Sequence, residues 1–304
     1  MVIRVEDEFE DRDGWCLALS RIRPSLEDLH QAIRLRDIRK VGLLCSYSLV
    51  NTNSSLRSVT ALSLAVQQGD REIVALLLEH GANANKLSCD WNGRLETPLF
   101  TSCRQANYET ARMLLEYGAD VNAADFNMHT PLWIATRERA LALVNLLIEN
   151  GANLNAGDKR SPCPLYLATK YLGRSEIAKL LIKHGCKLDP TDVEGRGAIY
   201  WTLANNLADV FKMLIYAGAR INRKDRDYMT NNRSMPAALR QNQELNEWVQ
   251  YELRNPPSLI RLAGNAIRHR LSECSGGRSI WKRIELLPIP NNLKNNLQMT
   301  DIIL

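Results

Sequence analysis

Two landmarks recur in phase along this chain, and together they restrict the fold more than any other feature. The first is a triplet that opens an apolar stretch: Thr60-Ala61-Leu62, Thr97-Pro98-Leu99, Thr130-Pro131-Leu132, Cys163-Pro164-Leu165 and Gly197-Ala198-Ile199. Successive copies lie 37, 33, 33 and 34 positions apart. The second is a glycine followed by a small residue: Gly81-Ala82, Gly118-Ala119, Gly151-Ala152, Gly185-Cys186 and Gly218-Ala219. A period near 33 residues held over five copies calls for a solenoid, in which stacked neighbours make the core that one unit cannot.

The residue types of one unit say what it folds into. In Thr130-Pro131-Leu132-Trp133-Ile134-Ala135 a threonine caps a helix, a proline takes its first turn, and Leu132 and Ala135 face inward. A second helix, Leu143-Val144-Asn145-Leu146-Leu147-Ile148, carries a wide apolar face, and Gly151 supplies the left-handed backbone that ends it. Asn153-Leu154-Asn155 then leads to a hairpin and the next unit. The pattern resembles ankyrin repeats, which implies an all-α solenoid of helix pairs with hairpin loops and a protein-binding surface on hairpin tips and the concave face.

The array is expected over residues 26–254, as about six repeats plus a degenerate C-terminal cap, after an N-terminal arm at 1–25. Leu29, His30 and Ala32 hold part of the pattern in a degenerate first copy, with Ile38, Val41, Leu43 and Leu44 on its second helix. At the other end Thr230 stands 33 places after Gly197 and continues the first landmark. Pro236-Ala237-Ala238-Leu239, with Leu245, Trp248, Val249 and Leu253, then reads as a last, incomplete helix pair.

Residues 255–304 read differently. Ser258 can cap a helix on which Leu259, Leu262, Ala263, Ala266 and Ile267 recur at helical spacing, with Arg261, Arg268 and Arg270 on its wet faces. Ser275, Gly276 and Gly277 break it. A second short helix carries Ile280, Trp281, Ile284 and Leu287, Pro288 and Pro290 stop it, and Leu293 and Leu297 begin a third. Helices this short are marginal alone, so the segment either caps the array or offers its apolar stripe to another chain. With no linker before Pro256, it should pack on the final repeat.

The order of these elements resembles the SOCS box. The resemblance implies that Ser258, Leu259, Leu262, Ala263, Ala266 and Ile267 hold elongin C. It likewise implies that Leu287, Pro288, Ile289, Pro290 and Leu293 help recruit a cullin. Ala263 stands where that family usually has cysteine, and Asn295 and Asn296 near where it tends to have an aromatic residue. An ankyrin array followed by such a box is similar to the ankyrin-repeat-and-SOCS-box family. Membership implies a non-enzymatic substrate-recognition subunit of a cullin–RING ubiquitin ligase, with elongin B, elongin C, cullin 5 and its RING protein as partners and an unidentified protein target. The alternative is a plain ankyrin scaffold or inhibitor.

Composition excludes several other classes. Formal charge is +5 over 304 residues with both signs interspersed, which argues against a nucleic-acid binder. Seven cysteines lie far apart without a close pair, and none of the five histidines completes a zinc set, so no metal or cofactor is expected. The thiols suit a cytosolic or nuclear compartment, and no apolar run is long enough for a bilayer.

No catalytic constellation is visible. His80 and His184 precede helix-ending glycines and are expected to cap the last carbonyls. Cys103 is expected to fill space, and Asp125 and Asp192 to bond their own backbone in hairpins. Trp133, Tyr166 and Tyr200 share one repeat position and read as core. For target binding the candidates are Trp91 on the longest hairpin, Phe126 and Met128 on the next tip, and Arg104, Arg137, Lys170 and Tyr171 on the concave side. Aromatic tips either tuck against a repeat or wait for a partner, and the four concave residues read slightly better as a mixed charged face.

Overall fold

The computed structural model describes residues 24–46, 50–90, 93–157, 163–171, 175–231, 235–255 and 257–299. The expected arm, up to residue 23, and Trp91 lie outside the described residues. Six helix pairs follow in order: α1 (Leu26–Arg34) with α2 (Ile38–Ser46), α3 (Ala61–Gln68) with α4 (Arg71–Glu79), and α5 (Pro98–Arg104) with α6 (Tyr108–Glu116). Then come α7 (Pro131–Arg137) with α8 (Leu141–Glu149), α9 (Pro164–Lys170) with α10 (Ser175–Lys183), and α11 (Ala198–Ala204) with α12 (Ala208–Ala217). First helices stack on first helices and second on second, and the seam between the layers is one continuous apolar core. Leu132, Ala135, Val144 and Leu147 in the middle of it are fully buried.

Local chemistry builds each pair as the residue types require. The Thr60, Thr97 and Thr130 hydroxyls accept from the N–H groups of Ser63, Phe100 and Trp133 at 3.1, 3.3 and 3.3 Å. Cys163 and Gly197 supply no side-chain cap, so α9 and α11 begin without one. Two hairpins carry short antiparallel ladders, β1 (Ser55–Leu56) with β2 (Val59–Thr60) and β3 (Ser88–Cys89) with β4 (Leu95–Glu96). Asp125 and Asp192 bond their own turns as expected: Asn127 and His129 donate to Asp125 at 2.9 and 2.8 Å, and Glu194 and Arg196 to Asp192 at 3.0 and 2.8 Å.

A second device ties unit to unit. The side-chain oxygen of Asn53 accepts from the N–H of Asn83 (2.6 Å), Asn85 from Asp120 (2.6 Å), Asn122 from Asn153 (2.8 Å), Asn155 from Lys187 (2.7 Å) and Asp189 from Arg220 (2.8 Å). Each acceptor lies in one loop, and each donor lies two residues after the helix-ending glycine of the next unit. These bonds are directional, so they hold the register that the non-directional core leaves free.

The pattern ends differently from the expectation for Thr230. That residue closes a helix, α13 (Arg223–Thr230), and its hydroxyl donates to the Arg226 carbonyl at 2.9 Å. The cause lies upstream: Asn222 and Asp225 form a reciprocal capping box, which starts a helix where earlier units run to a hairpin. The last pair is α14 (Ala237–Gln241) with α15 (Gln243–Arg254), and Leu239, Leu245 and Val249 are buried on it.

The C-terminal module has three helices, α16 (Leu259–Cys274), α17 (Trp281–Glu285) and α18 (Asn291–Gln298). Ser258 caps the first by accepting from Arg261 N–H at 3.2 Å. The module's own core is small: Ile280, Ile284 and Leu297, flanked by Leu271, Leu287 and Ile289. Packing on the final repeat describes only part of its position. It lies across the glycine-terminated ends of α8, α10 and α12, and so spans three units.

Candidate protein-binding surfaces

Hydrogen bonds along that joint run mostly to backbone. Leu154 N–H donates to the Gly277 carbonyl (2.8 Å), Ile280 N–H to the His184 carbonyl (3.0 Å), and Ser272 Oγ to the Gly185 carbonyl (2.8 Å). Gly185 sits at φ +85°, and a Cβ there would stand 2.5 Å from Ile280 Cδ1, so a side chain would strain the backbone and push Ile280 aside. Expected to cap its own helix, His184 instead pairs its Nδ1 with Ser279 Oγ at 2.6 Å, and burial lowers its pKa. His80, which meets no such module, does reach back to its helix and bonds the Leu76 carbonyl at 2.8 Å.

Arg268 is the centre of the joint, and it is buried where a wet face was expected. Only 6% of it is exposed. Its guanidinium donates to the Ile182 carbonyl of α10 at 2.7 Å and to the Leu297 carbonyl of α18. Among the described residues no carboxylate pairs with it, and burial pushes its pKa down to about 10. Arg261 also faces the array, paired with Glu252 at 2.8 Å and stacked over Tyr216. Asn265 lies against Gly218 and, in the amide orientation that satisfies its neighbours, donates to the Tyr216 and Ala217 carbonyls at 2.9 and 3.2 Å.

Arg261, Asn265, Arg268 and Ser272 therefore make one stripe of α16, and that polar stripe is the one turned inward. The opposite stripe, Leu259, Leu262, Ala263, Ala266 and Ile267, is exposed, with Leu259 84% open to solvent. Leu286 and Leu293 on the following elements are exposed as well. In Leu287-Pro288-Ile289-Pro290 the residues alternate: Leu287 and Ile289 pack on the small core, while Pro288 and Pro290 face solvent.

The concave side of the array is built from the first helices. Arg104 and Arg137 are paired there, Arg104 with Glu96 at 2.8 Å and Asp90 at 3.7 Å, and Arg137 with Glu138 at 2.7 Å. His129 stacks on Trp133 with ring centres 3.7 Å apart, and Arg137 lies over the same indole. Phe126 and Met128 stand out from their tip, Phe126 being 67% exposed. Trp133 and Tyr166 are buried as core, but Tyr200 is only half-buried, because its ring leans on Tyr228 of α13, 4.4 Å away, at the array's irregular end. Cys103 is fully buried, and burial pushes its thiol up to about 12, so it is inert.

Among the described residues no cluster of His, Cys, Asp or Glu could hold a metal, and no helix is long and apolar enough to cross a membrane. Against known families, residues 87–158 and 132–225 match the model of ankyrin repeats in three copies, and residues 59–89 the model of a single ankyrin repeat. No curated protein matches the chain.

Proposed function

We propose, from the premise that this is an ankyrin-repeat protein, that it is the substrate-recognition subunit of an elongin BC–cullin 5–RING ubiquitin ligase. Ankyrin repeats point to protein partners in general. One observation carries the finer reading: α16 turns its polar stripe to the array and leaves its apolar stripe in water. A helix that only capped the array would be oriented the other way, since burying Leu259, Leu262 and Ile267 would stabilise it by about 1.5–3 kcal/mol per fully buried side chain. An exposed row at i, i+3, i+4, i+7 and i+8 is the form in which a helix enters a partner's groove.

In this reading elongin C covers Leu259, Leu262, Ala263, Ala266 and Ile267, and the outward Pro288 and Pro290, with Leu293, meet the cullin. The array holds the target, and catalysis is proximity: a target lysine is kept near the ubiquitin thioester at raised effective concentration. The chain contributes no catalytic group of its own. Ala263, in place of the family's cysteine, favours the second reading, a plain ankyrin scaffold.

A pull-down from cell extract, probed for elongin C and cullin 5, separates the two. Wild type should retain both, and the Leu259→Arg variant neither, because it forces an unpaired charge into an apolar site. A Pro288→Ala, Pro290→Ala double variant should keep elongin C and lose cullin 5. An Ala263→Cys variant should bind elongin C modestly tighter. Wild type that retains neither protein at low salt returns the chain to the scaffold reading.

A further inference from the structure

The array brings one cation per unit to the same place, the last turn of the first helix, as Arg104, Arg137 and Lys170. Their charges meet different fates. Arg104 has two buried carboxylates and Arg137 has Glu138, whereas among the described residues Lys170 has no carboxylate partner. Its ammonium donates to the phenol oxygen of Tyr166 at 2.9 Å, and that phenol donates to Asp192 at 3.1 Å. Asp192 is already committed, to Arg196 Nε at 3.0 Å and to two backbone N–H groups.

Around Lys170 the surface is aromatic. Its Nζ lies 5.2 Å from the ring centre of Tyr166 and 4.8 Å from those of Tyr171 and Trp201. Arg196 sits 4.9 Å from the same indole. The rings hold the ammonium in place without neutralising it. Partial burial pulls its pKa down, but the phenols of Tyr166 and Tyr171 outweigh that and leave it raised, so the charge persists at neutral pH. The ammonium carries three N–H donors, one of them on Tyr166, and Tyr171, 59% exposed, lines with it a cleft of about 1380 Å³.

We propose that this cluster is the anchor point for the protein partner, and that it takes an acidic segment: a carboxylate on Lys170 with an adjacent apolar side chain on Tyr171. The proposal rests on the protein-binding reading of the repeats and is independent of the ligase reading. Trp, Tyr and a cation grouped on one concave patch are the residue types that dominate binding energy at interfaces. A polyanion such as nucleic acid fits poorly, since Asp192 and Glu194 beside the Lys170 cluster would repel successive phosphates. One side-chain carboxylate fits.

The test is a phage-displayed library of 12-residue peptides panned on the full chain, followed by titration of the winning synthetic peptides. Winners should carry Asp or Glu next to an aromatic or aliphatic residue. Their affinity should fall at least tenfold with Lys170→Met and with Tyr171→Ala, hold within about threefold with Lys170→Arg, and stay unchanged with Leu259→Arg. Replacing the peptide's acid by lysine should restore binding to Lys170→Glu. Melting curves matched to wild type keep a fold defect apart from a lost contact, and Lys170→Arg supplies the comparison should Lys170→Met melt early. Three outcomes overturn the proposal: winners without an acid, winners indifferent to Lys170→Met, or no enrichment over the Lys170→Glu protein. Winners lost with Phe126→Ala but not with Lys170→Met would leave the repeats as a protein-binding array and place the anchor on the hairpin tip.

Discussion

The repeat array and the C-terminal module are both helical, yet they treat apolar surface in opposite ways. In the array the first and second helices turn most of their apolar residues to a neighbour, so core runs from Leu29 to Val249 and also takes in Met299 of the module. In the module three buried apolar side chains form a separate small core, Met299 joins the array's core, and the longest helix spends its polar stripe on the joint and keeps its apolar stripe free. The array is self-sufficient because identical faces stack. The module stands on carbonyls that the array leaves over at its helix ends, Ile182, His184 and Gly185 among them. Helix C-termini in a solenoid are thus a row of acceptors, and a chain returning along that row with Arg268, Ser272 and a free N–H at Ile280 satisfies them.

The largest effect that would test this comparison is in the middle of the array. Leu132→Ala removes a fully buried side chain between stacked units and should cost about 2–5 kcal/mol, read as a lower melting temperature of the whole array. A melt that barely moves would mean the units do not stack in this phase. Next comes the joint. Arg268→Ala takes a donor from the Leu297 carbonyl and from the Ile182 carbonyl, which keeps Gly185 N–H, and should cost about 1–3 kcal/mol. Hydrogen exchange should speed up in α16–α18 and the ends of α10 and α12, and stay unchanged in α1–α4. Uniform acceleration across both regions would dissolve the distinction drawn between them.

A smaller effect, of opposite sign, marks where the regular array stops. Burial raises the Asp225 carboxyl to about 6, although it accepts from Asn222 N–H, against an ordinary value of 3.8. The folded state therefore holds that proton more tightly than the unfolded chain. Stability should fall as pH rises from about 4 to about 6, and the deficit should persist above that range. Asp225→Asn keeps an acceptor for Asn222, so it should raise stability at neutral pH by about 1–2 kcal/mol and flatten this part of the pH profile. Chemical denaturation at pH 4 and pH 7.5 measures both. The smallest effect should come from Leu259→Arg, within about 0.5 kcal/mol of wild type in the same assay, because that side chain is already largely exposed.

Much of the array was legible because its signals are local. A threonine cap, a proline at the first turn and a glycine at φ between 79° and 94° act within a few residues, so their spacing alone marks the pairs from Thr60 to Gly218. Ser258, the helix that follows it and the Ser275-Gly276-Gly277 break were readable for the same reason. Thr230 misled because spacing continued after its cause had stopped: the Asn222–Asp225 capping box, itself a local signal, outweighed the period. His184 and Arg268 could not be read at all. His184 looks like a residue at a helix end and Arg268 like one on a wet helix face, and their partners lie 95 and 86 positions away.

The sequence by itself determined where helices start and stop and which face of each pair is apolar, since those follow from backbone sterics and from spacing along one helix. It also determined that the stretch from Leu259 carries an apolar stripe. Tertiary structure alone decided which way that stripe points. Hydrophobicity is non-directional and would have accepted either orientation, whereas the carbonyls at the ends of α10 and α12 and the donors on Arg268, Asn265 and Ser272 are directional, and they turned the polar stripe inward. The same holds for the loop asparagines: nothing in Asn85 or Asn122 announces a bond to the next unit until stacking brings its backbone N–H within 3 Å.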